Sequence, residues 1–148
     1  MFIADYPNEY VETNENNNTA QVAIEVVENT TVSFNLDLDG DGEVKPLTDG
    51  LLSLRYQFGF RGDALVNSAI SPSATRKTAE EIETYLIEGG LSLDIDGDGE
   101  IKPLTDGLLT LRYLFGFRGD TLINNAIDAN ATRKTSQAVE IQIQALMP

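Results

Sequence analysis

At 148 residues, 41% of them apolar, the chain can hold one ordinary hydrophobic core or two small ones. A formal net charge of −14 argues against nucleic acid and anionic membranes as partners, and no stretch approaches the roughly 20 apolar residues of a membrane-crossing helix. There is no histidine and no cysteine, which removes disulfides, thiolate chemistry and the commonest general base.

The opening residues, MFIADYPNEY, lack the basic and apolar regions of a signal peptide, so a secreted parent would make this chain an excised piece of it. Residues 1 to about 30 carry no lysine or arginine, and five asparagines fall between Asn8 and Asn18. Ala20 to Val27 alternates loosely, as a strand does, and Glu15 to Asn18 suits the turn before it. Through Asp5, Asn8, Val11, Glu12, Asn14, Glu15, Asn17 and Asn18 this stretch resembles the C-terminal hairpin of the bacterial cell-adhesion-related domain (CARDB), an immunoglobulin-like sandwich. The resemblance implies a short β hairpin over residues 1–30. The plainer reading is a disordered, Asn-rich leader.

From Asp37 the chain is a tandem repeat with an offset of 57, Asp37–Thr78 matching Asp94–Thr135 with about three quarters of positions identical. Each copy opens on an acidic loop, DLDGDGEVKPLTD from Asp37 to Asp49 and DIDGDGEIKPLTD from Asp94 to Asp106. Aspartates at alternate positions followed by glycine are how a chain wraps a hard cation. Ca²⁺ takes six to eight oxygens, and positions 1, 3 and 5 of an EF-hand loop give side-chain oxygens. Asp37, Asp39 and Asp41 fill those positions, as do Asp94, Asp96 and Asp98. Glycine at position 6 (Gly42, Gly99) permits a sharp turn. Glu43 and Glu100 at position 7 would give backbone carbonyls and point their side chains to solvent.

These loops resemble those of the dockerin and EF-hand group, dockerins the more closely, because neither follows a convincing entering helix. The resemblance implies two calcium ions, one per loop. In this sequence the carboxylate expected at position 12 arrives at position 13, as Asp49 and Asp106, with Thr48 and Thr105 in the twelfth place. Either the loop is one residue longer or a water replaces a direct ligand. The longer loop, closed by Asp49 and Asp106, is the expectation, and the threonines are then expected to cap the following helix.

Behind each loop, Leu47, Leu51, Leu54 and Phe58, with Leu104, Leu108, Leu111 and Phe115, recur at helical spacing. Pro46 and Pro103 suit a first helical turn, and Gly59 and Gly116 suit the stop. Asp63–Ile70 and Asp120–Ile127 read as short helices capped by aspartate. Thr78 with Glu81 forms a capping box ahead of Ile82, Tyr85 and Leu86. The corresponding segment after Thr135 alternates partly like a strand but is expected to be helical. Tyr56, Phe58, Phe60, Tyr113, Phe115 and Phe117 are expected in the core rather than on a sugar-binding platform. Ser71–Glu83 and Asp128–Glu140 read as connectors that bind no metal. Arg61-Gly62-Asp63 and Arg118-Gly119-Asp120 spell the integrin tripeptide, but helix punctuation explains them.

The expected fold is mainly α, a tandem duplicated calcium loop–helix protein with a short N-terminal β hairpin. It divides into residues 1–30, a first repeat over 31–90 and a second over 91–148. The expected function is non-catalytic: a calcium-binding module of a secreted or cell-surface bacterial protein, in which calcium stiffens the fold and sets domain orientation. The alternative implied by the resemblance is a dockerin-type module that docks onto a cohesin-like partner. The wide spacing of the two loops departs from that pattern.

Overall fold

A computed structural model describes residues 33–148, and the N-terminal stretch read as a CARDB-like hairpin lies outside them. Among the described residues the structure is mainly helical, with no strand. Each repeat contributes a loop, a π turn running into a helix, a one-turn helix, a returning strap and a closing helix. In the first repeat the π turn is Pro46–Gly50, followed by α1 (Leu51–Gln57), α2 (Asp63–Val66) and α3 (Ala79–Gly89). A 3₁₀ turn, Gly90–Leu93, leads into the second loop. The second repeat follows with a π turn at Pro103–Gly107, then α4 (Leu108–Leu114), α5 (Asp120–Ile123) and α6 (Ser136–Gln144).

The local chemistry accounts for the breaks. Pro46 stands in the first turn, after Lys45 in extended backbone (φ −124°, ψ 146°). α1 stops in a Schellman motif, with the Phe60 N–H donating to Arg55 O at 2.9 Å and the Gly59 N–H to Tyr56 O at 2.9 Å. The α3 N-terminus is the capping box read from sequence, with Thr78 and Glu81 exchanging bonds. At α6 the Thr135 side chain accepts from the Ala138 N–H, and the segment is helix rather than strand.

Asp63 does not cap. It is the first residue of α2, Gly62 precedes it, and no side-chain cap bond forms. The helix also ends at Val66, not Ile70, because Asn67 turns extended and Ser68 takes a left-handed φ of 58°. The Arg55 guanidinium Nη1 finishes this turn by donating to Leu65 O and Asn67 O. Arg112, Asp120 and Asn125 repeat the arrangement in the second copy.

The core is built from matched positions of the two copies. Leu38, Leu52, Leu65, Ile82 and Leu86 pair in register with Ile95, Leu109, Leu122, Val139 and Ile143, all essentially inaccessible, and together they form one cluster. Phe34–Pro148 is accordingly a single compact unit holding both repeats. The helices cross reciprocally: α1 leans on the second π turn and α4 on the first. A Cβ on Gly50 would come within 2.9 Å of Leu111 Cδ1, and one on Gly107 within 2.7 Å of Leu54 Cδ1. The two glycines therefore set how closely the repeats approach.

The expected helical stripe is corrected here. Leu47 and Leu104 are 64% exposed, and Phe58 and Phe115 are 51% and 53% exposed. Phe60 and Phe117 also lie outside, whereas Tyr113 is buried and Tyr56 half-buried. The π turn inserts a residue ahead of α1, rotating the helix so that Leu52 and Ser53 face inward. Leu51 and Leu54 become partly buried instead.

Candidate metal centres

Asp37, Asp39 and Asp49 each place a carboxylate oxygen within 4.8 Å of the others, all three residues buried, and Asp94, Asp96 and Asp106 do the same. Position 13 therefore meets positions 1 and 3. The bond that makes this possible runs from the Gly50 N–H to Lys45 O at 3.0 Å, five residues back, which is π rather than α spacing. The wide spacing of this turn brings Asp49 round to Asp37 and Asp39 at the loop entrance.

Within the loop, backbone N–H groups aim the carboxylates. Asp37 Oδ1 accepts from Gly40 and Asp41, and its Oδ2 from Gly42. Asp39 Oδ1 accepts from the Asp41 N–H and Oδ2 from the Ser71 N–H. Asp41 Oδ1 takes the Glu43 N–H, a chain of Asx turns that winds the loop tightly. Asp49 is the most heavily held. Its Oδ1 accepts from Leu38 N (2.7 Å) and Asp39 N (3.2 Å), and its Oδ2 from Lys45 N (2.9 Å) and the Thr48 hydroxyl (2.9 Å). Asp106 has the same four kinds of donor. Thr48 and Thr105 thus brace the closing aspartate, and neither caps a helix as expected.

The other two expected ligands of each loop stand apart from the triad. Asp41 turns its Oδ2 to Lys45 Nζ at 2.7 Å, and Asp98 pairs in the same way with Lys102. Glu43 and Glu100 send side chains 73% exposed into solvent, as position 7 of such a loop implies.

A strap that sequence reasoning read as a plain connector completes the centre. Ser71 donates to Asp39, and the N–H groups of Thr75 and Arg76 both donate to Asp39 O, at 3.0 and 2.8 Å. Thr75 Oγ1 donates to Gly40 O, while the Arg76 guanidinium donates to the carbonyls of Asp37 and Leu38 and stacks 3.8 Å over the Tyr85 ring. Thr132 and Arg133 repeat the strap on the second loop. Gly40 has φ +74°, and a Cβ there would lie 2.2 Å from Thr75 Oγ1. The signal was in the sequence: Ala74-Thr75-Arg76-Lys77-Thr78 recurs unchanged as Ala131 to Thr135.

Electrostatically the triads are unbalanced. Among the described residues no lysine or arginine pairs with Asp37, Asp39, Asp49 or their copies. Burial pushes the Asp49 and Asp106 carboxyls above the usual carboxylate range, against the pull of their N–H donors. Lys45, by contrast, holds Asp41 down to about 2. Buried carboxylates are ordinarily paired or metal-bound, so three together without a cation fit a bound metal. An all-oxygen carboxylate set suits a hard divalent cation and not a thiophilic one. Two such triads can hold two ions.

The matched basic residues divide their labour. Lys45 and Arg61 pair with carboxylates, Arg61 reaching Glu83 at 3.8 Å, whereas Arg55 and Arg76 serve backbone carbonyls. Arg61 also lies 4.0 Å over Tyr56 and donates to Tyr56 O and Phe60 O, so the Arg-Gly-Asp spelling belongs to the corner between α1 and α2. No described helix is long and apolar enough to cross a membrane. Comparison with protein-family models, with curated proteins and with solved structures finds no match for the chain.

Proposed function

We propose that the protein is a non-catalytic calcium-binding module, dockerin-like in its loops, that takes one Ca²⁺ at each triad and uses the ions to stiffen its fold. The observation that carries this reading is the buried carboxylate triad without a cation, present twice. An ion relieves the mutual repulsion of the three aspartates, so binding and folding are coupled. Asp37 and Asp39 retain acceptor capacity for the ion. Asp41 joins them if Lys45 releases it, and Glu43 supplies its carbonyl. Asp49 closes the site, chiefly by its charge and by holding the loop. Calcium suits this winding loop better than magnesium, which demands strict octahedral geometry and keeps its waters. We place the module in an extracellular or cell-surface protein, where dissociation constants of roughly 10⁻⁴–10⁻³ M suffice.

Titration calorimetry and terbium luminescence on chelator-stripped protein test the reading. Two ions should bind, and a count of none, one or four would overturn it. A second reading, docking onto a cohesin-like partner, draws support from Leu47, Phe58 and Phe60 and their copies, which stand exposed in both repeats. A calcium-dependent pull-down with cohesin modules separates the two readings.

A further inference from the structure

The two loops are nearly identical, yet one charged position in contact with a loop lysine differs: Ser71 in the first repeat is Asp128 in the second. In both copies a lysine occupies the fifth-position aspartate. Lys45 holds Asp41, whose side chain is only 2% exposed, and Lys102 holds Asp98, only 1% exposed. This lysine is a resident cation that an incoming metal must displace before the aspartate can turn inward. The displaced lysines then meet different fates. Among the described residues Lys45 has, besides Asp41, only Glu43 within reach, at 3.5 Å and 73% exposed, a pairing that solvent screens heavily. Lys102 also touches Asp128 Oδ2 at 3.1 Å, a carboxylate 23% exposed and fixed in place by the Asn130 N–H on its Oδ1 at 2.8 Å.

We infer that Asp128 parks Lys102 when metal enters the second loop, so that this site fills before the first. Asp128 neutralises the lysine close to where it already stands, and the charge of Lys102 then no longer opposes the ion. The first loop lacks this device. Its lysine either remains on Asp41, withholding one ligand, or swings into water. The inference rests on the metal reading of the loops and adds an order of filling and the residue that sets it.

The test uses the whole chain, stripped with chelator and titrated with calcium alone, followed by amide NMR. Gly42 and Gly99 donate to Asp37 Oδ2 and Asp94 Oδ2, so their N–H signals report the two loops separately. Gly99 should saturate at about fivefold lower calcium than Gly42, the upper range for one partly exposed ion pair. Asp128→Ser should erase the difference, and Ser71→Asp should shift Gly42 towards Gly99. In a Lys102→Met background, Asp128→Ser should have little effect, because no lysine is left to park. An undiminished loss in that background would show Asp128 acting as a ligand or a bulk charge and would overturn the mechanism. Equal saturation of the two glycines in the wild type would overturn the order alone. Silence of both glycines would overturn the metal reading and this inference with it.

Discussion

Replacing Asp49 with asparagine keeps the side chain's shape and removes its charge, and the four donors around it make the outcome calculable. Asparagine Oδ1 can still accept from the N–H groups of Leu38 and Asp39, now 2.7 and 3.2 Å from the carboxylate. Its amide nitrogen must then face the Lys45 N–H and the Thr48 hydroxyl. The hydroxyl can rotate to accept, but the Lys45 N–H cannot, and a buried donor left unsatisfied costs about 1–3 kcal/mol. Removing a buried negative charge beside Asp39 offsets part of that cost. In chelator the variant should therefore melt within a few degrees of the wild type. Calcium separates them. At about a hundred times the dissociation constant each ion contributes roughly 2.7 kcal/mol, and a site weakened tenfold contributes about 1.4. At about 4 °C per kcal/mol for a domain of this size, calcium should raise the wild-type melting temperature by roughly 20 °C and the variant's by about 5 °C less. Paired calorimetric melts in chelator and in calcium read the difference, with Asp106→Asn as the mirror case. An Asp49→Asn protein that gains as much from calcium as the wild type would remove Asp49 from the site.

Because Thr48 donates to Asp49, Thr48→Val should weaken the first site severalfold, and calorimetry showing unchanged affinity would discount the brace. Burial holds the Asp49 and Asp106 carboxyls higher in the folded chain than in the unfolded one. Their contribution is therefore complete below the unfolded value near about 4 and lost as pH rises through the folded one. Metal-stripped protein should accordingly lose melting temperature as pH rises from about 4 through the raised folded values. Asp41 and Glu81, held low by Lys45 and Thr78, act in the opposite sense and lose their contributions as pH falls below their unfolded values. A metal-stripped protein that is less stable at the lower pH would contradict the burial argument. Gly40→Ala meets both a positive φ and Thr75 Oγ1, whereas Gly42→Ala, at φ +94°, meets nothing within 4 Å. The first should cost about 1–3 kcal/mol more than the second in denaturant melts, and equal costs would mean that the strap does not press on the loop.

The acidic positions were legible because side-chain alternation and repetition survive any fold. That Asp49 approaches Asp37 and Asp39 was legible from the loop template and charge balance, although the device that brings it there was not. A π turn leaves no mark in composition, and it rotates everything downstream. This is why Leu47 and Phe58, correctly spaced for a helix, stand on its exposed face. The strap is hard to read from sequence because its grip on Asp39 comes from backbone N–H groups, which every residue but proline carries. Only the unchanged recurrence of Thr75 and Arg76 as Thr132 and Arg133 hinted at it. At Thr48 capping competes with a closer acceptor, Asp49, and distance decides between them.

The π turn also records history. Both copies carry it at the same place, with the same PLTDG sequence at Pro46–Gly50 and Pro103–Gly107. The same turn at equivalent positions of both copies is most simply a feature of the unit before it was doubled. The partner contacts across Gly50 and Gly107 are reciprocal, which means that a lone ancestral unit could have met a second copy of itself in the same way. Since the doubling the two halves have diverged in sequence. The exchange of Ser71 for Asp128 and of Tyr85 for Gln142 are marks of that later divergence.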